Sequence, residues 1–128
     1  MASIVRLQHV SIPMPADGHA RARRFYGEML GMHEVPQPVS LVHNSVVWFD
    51  ADGGGQEIHC FVDEPYRPGC ADQHLCLQVD DLEEMRGQLR EHGVEPEETI
   101  VIRNRPRFFV RDPFGNKIEL VQIHGQYE

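Results

Sequence analysis

The sequence predicts an α+β fold of two βαβββ modules, residues 1–64 and 72–128, whose curved mixed sheets pair around a shared cleft inside one domain spanning 1–128. Three observations carry this. The chain repeats itself: Gln8-His9-Val10-Ser11-Ile12 matches Gln73-His74-Leu75-Cys76-Leu77 at an offset of 65, and residues Phe49 to His59 match Phe109 to Glu119 at an offset of 60. Each copy begins with period-two apolar alternation and then switches to a helical period. A length of 128 residues with 41% apolar content suffices for one core without disulfide support.

The elements follow in order. Residues 4–12 alternate and are rich in Val and Ile, which predicts a first strand stopped by Pro13, Pro15 and Gly18. Ala22, Phe25, Tyr26, Met29 and Leu30 form one apolar stripe, predicting a helix capped by Asp17 and ended by Gly31. Residues 46–50 and 56–62 read as a strand pair around the Asp52-Gly53-Gly54-Gly55 turn. In the second copy, residues 73–79 form the first strand. Asp81 and Glu84 resemble a capping box ahead of a Leu82, Met85, Leu89 stripe that Gly93 ends. Residues 108–111 and 117–123 form the second strand pair, around Asp112-Pro113-Phe114-Gly115. Loops are expected over 36–44 (with His43) and 63–72, and loose ends over 125–128.

Twelve Lys and Arg against twenty Asp and Glu give a net charge of −8, with no basic run longer than Arg23-Arg24, so nucleic acid is not an expected partner. No apolar run is long enough for a membrane span, and the first residues lack the pattern of a signal peptide. The expectation is a cytoplasmic protein with Cys60, Cys70 and Cys76 reduced.

The repeat converts four scattered residues into a symmetric set. His9 and His74 hold the same place in the two first strands, and His59 and Glu119 hold the same place in the two last strands. Alternation around His74 selects His74, Cys76 and Gln78 for one face and leaves Leu75 and Leu77 for the helix side. Imidazole and carboxylate donors suit one first-row divalent ion per site, Fe, Zn, Ni, Co or Mn, acting as a Lewis acid on vicinal substrate oxygens. The cleft is therefore expected to bind metal through His9, His59, His74 and Glu119, with His59 either a fourth ligand or a general base. Arg103, Arg105 and Arg107 recur at period two and share a face on an extended strand. Arg107 is the expected anchor for a substrate carboxylate or phosphate. Trp48, Phe49, Phe61, Phe108 and Phe109 are expected in the core, with some of them walling an apolar substrate pocket as the alternative, and Cys76 as small packing.

Four segments together resemble the vicinal oxygen chelate superfamily: Leu7 to Ile12, Arg24 to Met32 (RFYGEMLGM), Asp72 to Asp81 (DQHLCLQVDD), and Phe109 to Leu120 (FVRDPFGNKIEL). That superfamily includes glyoxalase I, methylmalonyl-CoA epimerase, extradiol dioxygenases, fosfomycin-resistance enzymes and metal-free bleomycin-binding proteins. The resemblance implies that the ligand places fall on His9, His59, His74 and Glu119, and that the protein is a homodimer. Glyoxalase-like members carry Glu at the place of His59 and epimerases carry Gln. The set here is more similar to the His, His, Glu ligands of dioxygenases and fosfomycin-type enzymes. The expected function is a divalent-metal-dependent oxidoreductase or lyase/isomerase acting on a small oxygen-rich substrate. The alternative is a metal-free protein that binds and sequesters a small, antibiotic-type molecule.

Overall fold

The computed structural model describes residues 1–41, 45–68 and 70–128, so His43 lies outside the described residues. The chain divides into two compact units, Met1–Arg67 and Pro68–Glu128. Each is a mixed sheet with a helical segment, which makes the fold α+β in two modules as expected.

In the first unit, β1 (His9–Met14) is followed by α1 (His19–Ala22), which runs on as a π-helix over Arg23–Met29, then by β2 (His33–Val35), β3 (Val46–Asp50) and β4 (Glu57–Val62). The sheet order is β1-β4-β3-β2, with β1 parallel to β4 and the other pairs antiparallel. Ile12, Met14, Val47, Phe49, Ile58 and Cys60 are buried on one face, together with Ala22, Phe25, Tyr26 and Met29 of the helical stripe. Asp17 is not the cap expected of it. Gly18 holds the N-cap position without a side-chain bond, while the Asp17 carboxylate takes Arg21 one turn on at 3.1 Å. Gly31 does end the helix, at φ +77°, a conformation that costs glycine nothing.

The first strand is displaced from its expected place. Residues 4–8 stay outside β1 and Ile4 and Val5 are almost fully exposed, because the β4 ladder begins only at Glu57 and leaves upstream residues without a partner strand. Arg6 and Gln8 bond instead to the carbonyls of Gly54 and Gly55. At its other end β1 runs through Pro13 to Met14, since a proline with no N–H is tolerated on an edge strand.

In the second unit, β5 (His74–Gln78), α2 (Leu82–Glu91), β6 (Arg107–Arg111) and β7 (Lys117–Val121) form a sheet of order β5-β7-β6. Asp81 caps α2 as predicted, its carboxylate accepting from the Glu84 N–H at 3.0 Å. The third strand expected after α2 is reduced to one bridge, Glu97 opposite Phe109, bonded at 2.7 and 2.9 Å. No further pair extends this bridge among the described residues. The expected loose end is also held down: Asn104 and Arg105 bond to the carbonyls of Gln126 and Gly125, Arg105 lies over the Tyr127 ring, and Arg103 pairs with Glu128.

The repeat survives in the ladders with one correction. Ser11 stands opposite His59 and Cys76 opposite Glu119, so His59 and Glu119 are equivalent, as are His9 and His74. Yet His59 faces Trp48, and Glu119 faces Phe109. The residue equivalent to Phe109 is therefore Trp48 rather than Phe49. The first hairpin turn is one residue longer, Asp50 pairing with Glu57 where Arg111 pairs with Lys117. A one-residue slip exchanges the faces of a strand, which puts Phe49 and Phe109 on opposite faces of their sheets; both are buried, Phe109 beside His74 and Lys117. Both turns are built on an aspartate: Asp52 accepts from Gly54 and Gln56, and Asp112 from Phe114 and Asn116. No helix among the described residues is long and apolar enough to cross a membrane.

Candidate functional site

The two polar sheet faces hold the expected site residues in pairs, one pair per unit. In the first unit His59 lies flat on Trp48, its cross-strand partner, with ring centroids 3.8 Å apart and planes within 4°. His9 stacks on the other face of His59 at 4.1 Å. His59 is buried and bonds through Nε2 to Glu57 Oε1 at 2.8 Å, while the exposed His9 bonds through Nδ1 to Gln8 Oε1 at 2.6 Å. A carboxylate oxygen only accepts, so the His59 proton sits on Nε2 and Nδ1 is left with its lone pair unless the ring is charged. Carboxylate-to-imidazole support of this kind fixes a tautomer and the orientation of the ring. Glu57 was not singled out for the site in the sequence, and Trp48 only as one of five aromatics expected in the core or as pocket walls. The signal for Glu57 was present in its period-two spacing from His59.

In the second unit the geometry is tighter. His74 Nδ1 donates to the Asp72 carbonyl at 2.8 Å, which leaves Nε2 facing the Glu119 carboxylate at 3.3 Å. His74 Nε2 and the carboxylate stand in contact, and the positive charge beside that oxygen comes from Arg107. Glu119 Oε1 also accepts from Arg107 Nη1 at 3.0 Å, and Oε2 accepts the Cys76 thiol at 3.3 Å. Arg107 and Glu119 are only 15% and 13% exposed. Arg107 further donates from Nη2 to the Ile100 carbonyl at 3.0 Å, and its Nε is buried without a partner. Phe109 is the floor of this face: Lys117 Nζ stands 4.1 Å above its ring, the Arg107 guanidinium carbon 5.6 Å, and His74 meets it edge-on at 5.0 Å.

Arg107 thus lies on the polar face, committed to Glu119. Arg103 and Arg105 do not share its strand, because β6 begins at Arg107 and both precede it in the segment that holds the C-terminal residues. Of the other histidines, His92 ends α2 with Nδ1 on the Gln88 carbonyl, and His33 and His124 are exposed. Among the described residues no group of three or more His, Cys, Asp or Glu able to hold a metal ion is assembled. Within the second unit His74 Nε2 and the Glu119 carboxylate are donor types that a divalent ion accepts, and in this arrangement Arg107 holds Glu119.

Cys76 gives a test of this electrostatics. Burial first, then the hydrogen bond to Glu119 and the charge of Glu119, together push its thiol up to about 12 against a smaller lowering by Arg107. Only the thiolate attacks, so at pH 8 Cys76 is expected to react with iodoacetamide about a hundredfold more slowly than a free thiol, after allowing for the greater nucleophilicity of a high-pKa thiolate. Site-resolved labelling rates by mass spectrometry check this. Labelling of Cys76 at the rate of free cysteine would contradict it.

Residues 6–120 match the family model of the Glyoxalase/Bleomycin resistance protein/Dioxygenase superfamily. A Bacillus anthracis protein assigned to the glyoxalase family is 33% identical and superposes with a TM-score of 0.88 over 96% of this chain and 98% of its own. An antibiotic-binding protein from Streptomyces sp. CB03234, 24% identical, gives 0.76 over 96% and 98%. The trypanothione-dependent glyoxalase I of Leishmania major, also 24% identical, gives 0.72 over 93% and 87%. At that identity the last two show a shared fold alone. No curated protein matches the chain.

Proposed function

The chain belongs to the Glyoxalase/Bleomycin resistance protein/Dioxygenase superfamily, and from that premise we propose that it is a divalent-metal-dependent enzyme acting on a small oxygen-rich substrate. The chemistry is of the dioxygenase or lyase/isomerase type, carried out by a cytoplasmic homodimer. The ion is Fe, Zn, Ni, Co or Mn, and His9, His59, His74 and Glu119 are its donor set. The single observation that supports this most is His74, whose Nδ1 is tied to a backbone carbonyl while Nε2 stands 3.3 Å from Glu119 Oε1, so that two donor types a divalent ion accepts lie side by side. When bound, the ion supplies Lewis acidity to vicinal oxygens of the substrate.

The remaining roles belong to the chain. Asp72 and Glu57 fix the tautomers of His74 and His59. His59 Nδ1, with Glu57 behind Nε2, acts as a fourth donor or takes a proton from the substrate. Trp48 and Phe109 keep water from one side of each pair and give a flat apolar wall to the bound molecule. Lys117 and Arg107 bring positive charge for an anionic substrate group.

One observation favours a second reading, a metal-free small-molecule binder. The Arg107 guanidinium already neutralises Glu119, and a protein that only sequesters a ligand needs no other cation there.

Metal analysis of protein purified without an affinity tag separates the two. The enzyme reading expects about one ion per chain, lost on His74→Ala while circular dichroism shows the fold intact. A metal-free wild type that binds a ligand tightly would overturn it. Oxygen uptake with catechols, against anaerobic isomerisation of hemithioacetals, then selects the reaction class.

A further inference from the structure

We propose that the stacked rings of Trp48, His59 and His9 form a recognition platform for a flat, electron-poor conjugated ring, which lies on the outer face of His9. The inference rests on reading the polar face of the first unit as a small-molecule site and names the class of molecule. It uses ring faces and needs no ion.

Three rings lie nearly parallel across this face. Trp48 and His59 are 3.8 Å apart with planes within 4°, and His59 and His9 are 4.1 Å apart with planes within 17°. His59 is buried as the middle ring, whereas His9, on the edge strand β1, is exposed and turns its second face to solvent. The stack stands opposite the core side of the same strands, where Val47, Phe49, Ile58 and Cys60 are buried. The fold does not impose it. The equivalent places of the second unit carry Phe109, Glu119 and His74, and there the imidazole meets the phenyl ring edge-on, at 82°.

The ring planes are also held. His59 Nε2 bonds to Glu57 Oε1 at 2.8 Å, His9 Nδ1 bonds to Gln8 Oε1 at 2.6 Å, and the Gln8 amide nitrogen donates to the Gly55 carbonyl at 3.4 Å. An exposed side chain free to turn loses rotamer entropy on meeting a ligand, and His9 is already fixed parallel to the rings beneath it. Side chains locked by hydrogen bonds from behind are what a binding platform requires. The occupant follows from the electronics of the rings. Indole and imidazole faces are rich in π electrons, so a ring of the same kind placed squarely on them is repelled. A fourth ring that continues the stack gains most when its own face is poor in electrons, as in an isoalloxazine, a quinone or a nitroaromatic.

Riboflavin is the probe, a flat electron-poor ring on a ribityl chain, titrated with the full-length protein in the presence of a chelator so that no metal ion contributes. Its own emission, excited where Trp48 does not absorb, is quenched on stacking against electron-rich rings. Saturable quenching is expected, and excess ribitol should not reverse it. His9→Ala removes the outer ring and should weaken binding roughly tenfold. His9→Phe restores a flat ring without a nitrogen and should stay within about threefold of wild type. Circular dichroism checks the fold of each, and His9→Gln takes the place of His9→Ala if that variant does not fold. Wild type that leaves riboflavin emission unchanged, reversal by ribitol, or His9→Ala binding as tightly as wild type overturns the proposal. So does His9→Phe binding as weakly as His9→Ala, since a nitrogen rather than a ring face is then the contact. Riboflavin bound by a protein that purifies without metal upholds the platform while the metal reading fails, and a stoichiometric ion without riboflavin binding does the reverse.

Discussion

Glu119→Ala is expected to destabilise the fold by about 2–4 kcal/mol, read as a lowered urea midpoint at unchanged slope. The loss does not come from the methylenes. Removing the carboxylate leaves Arg107 85% enclosed with Nη1 added to the Nε already lacking an acceptor, and removes the partner of His74 and of the Cys76 thiol. Breaking a buried ion pair from one side leaves an uncompensated charge, and the figure is set at the low end of that class because neither partner is wholly dry. The Arg107→Met/Glu119→Leu double variant removes both charges and should recover most of the loss, giving a coupling energy of about 1–3 kcal/mol in a double-mutant cycle. A Glu119→Ala protein as stable as wild type would mean that the pair is loosely held in solution. The result also bears on function, since any activity loss at Glu119 has to be separated from unfolding.

What the sequence revealed and what it hid divide along a physical line. Features fixed within a few residues were legible: the Asp81 cap with Glu84, the glycine at position 31 that ends the first helix, and the aspartates that build both turns from their own backbone amides. So was the equivalence of His9 with His74 and of His59 with Glu119, because the repeat carried it past the loops. Features decided by a neighbouring strand were not. Residues 4–8 have the composition of a strand but no ladder to join. The β strand expected before β6 is cut to one bridge. Period-two spacing put Arg103, Arg105 and Arg107 on one face, yet only Arg107 is in a strand, and its partner is chosen by the register between β6 and β7. Glu57 was overlooked because its role depends on facing His59 rather than on any motif.

The register argument yields the second large effect. Phe108 and Phe109 are neighbours of identical composition on opposite faces of β6. Phe108 is fully buried on the core face, under the Arg86 guanidinium of α2 at 4.7 Å. Phe108→Ala is expected to cost about 3–5 kcal/mol, the transfer of the ring plus the cavity that a rigid sheet and helix cannot close. Phe109 is covered by long flexible side chains, Lys117 and Arg107, whose stems can settle into the space a missing ring leaves. Phe109→Ala should therefore cost only about 1–2 kcal/mol, while removing the apolar floor beneath His74 and Glu119 and weakening ligand binding. Paired denaturation curves of the two variants test the face assignment itself. Equal losses would mean that the long side chains over Phe109 close its space no better than sheet and helix close that of Phe108.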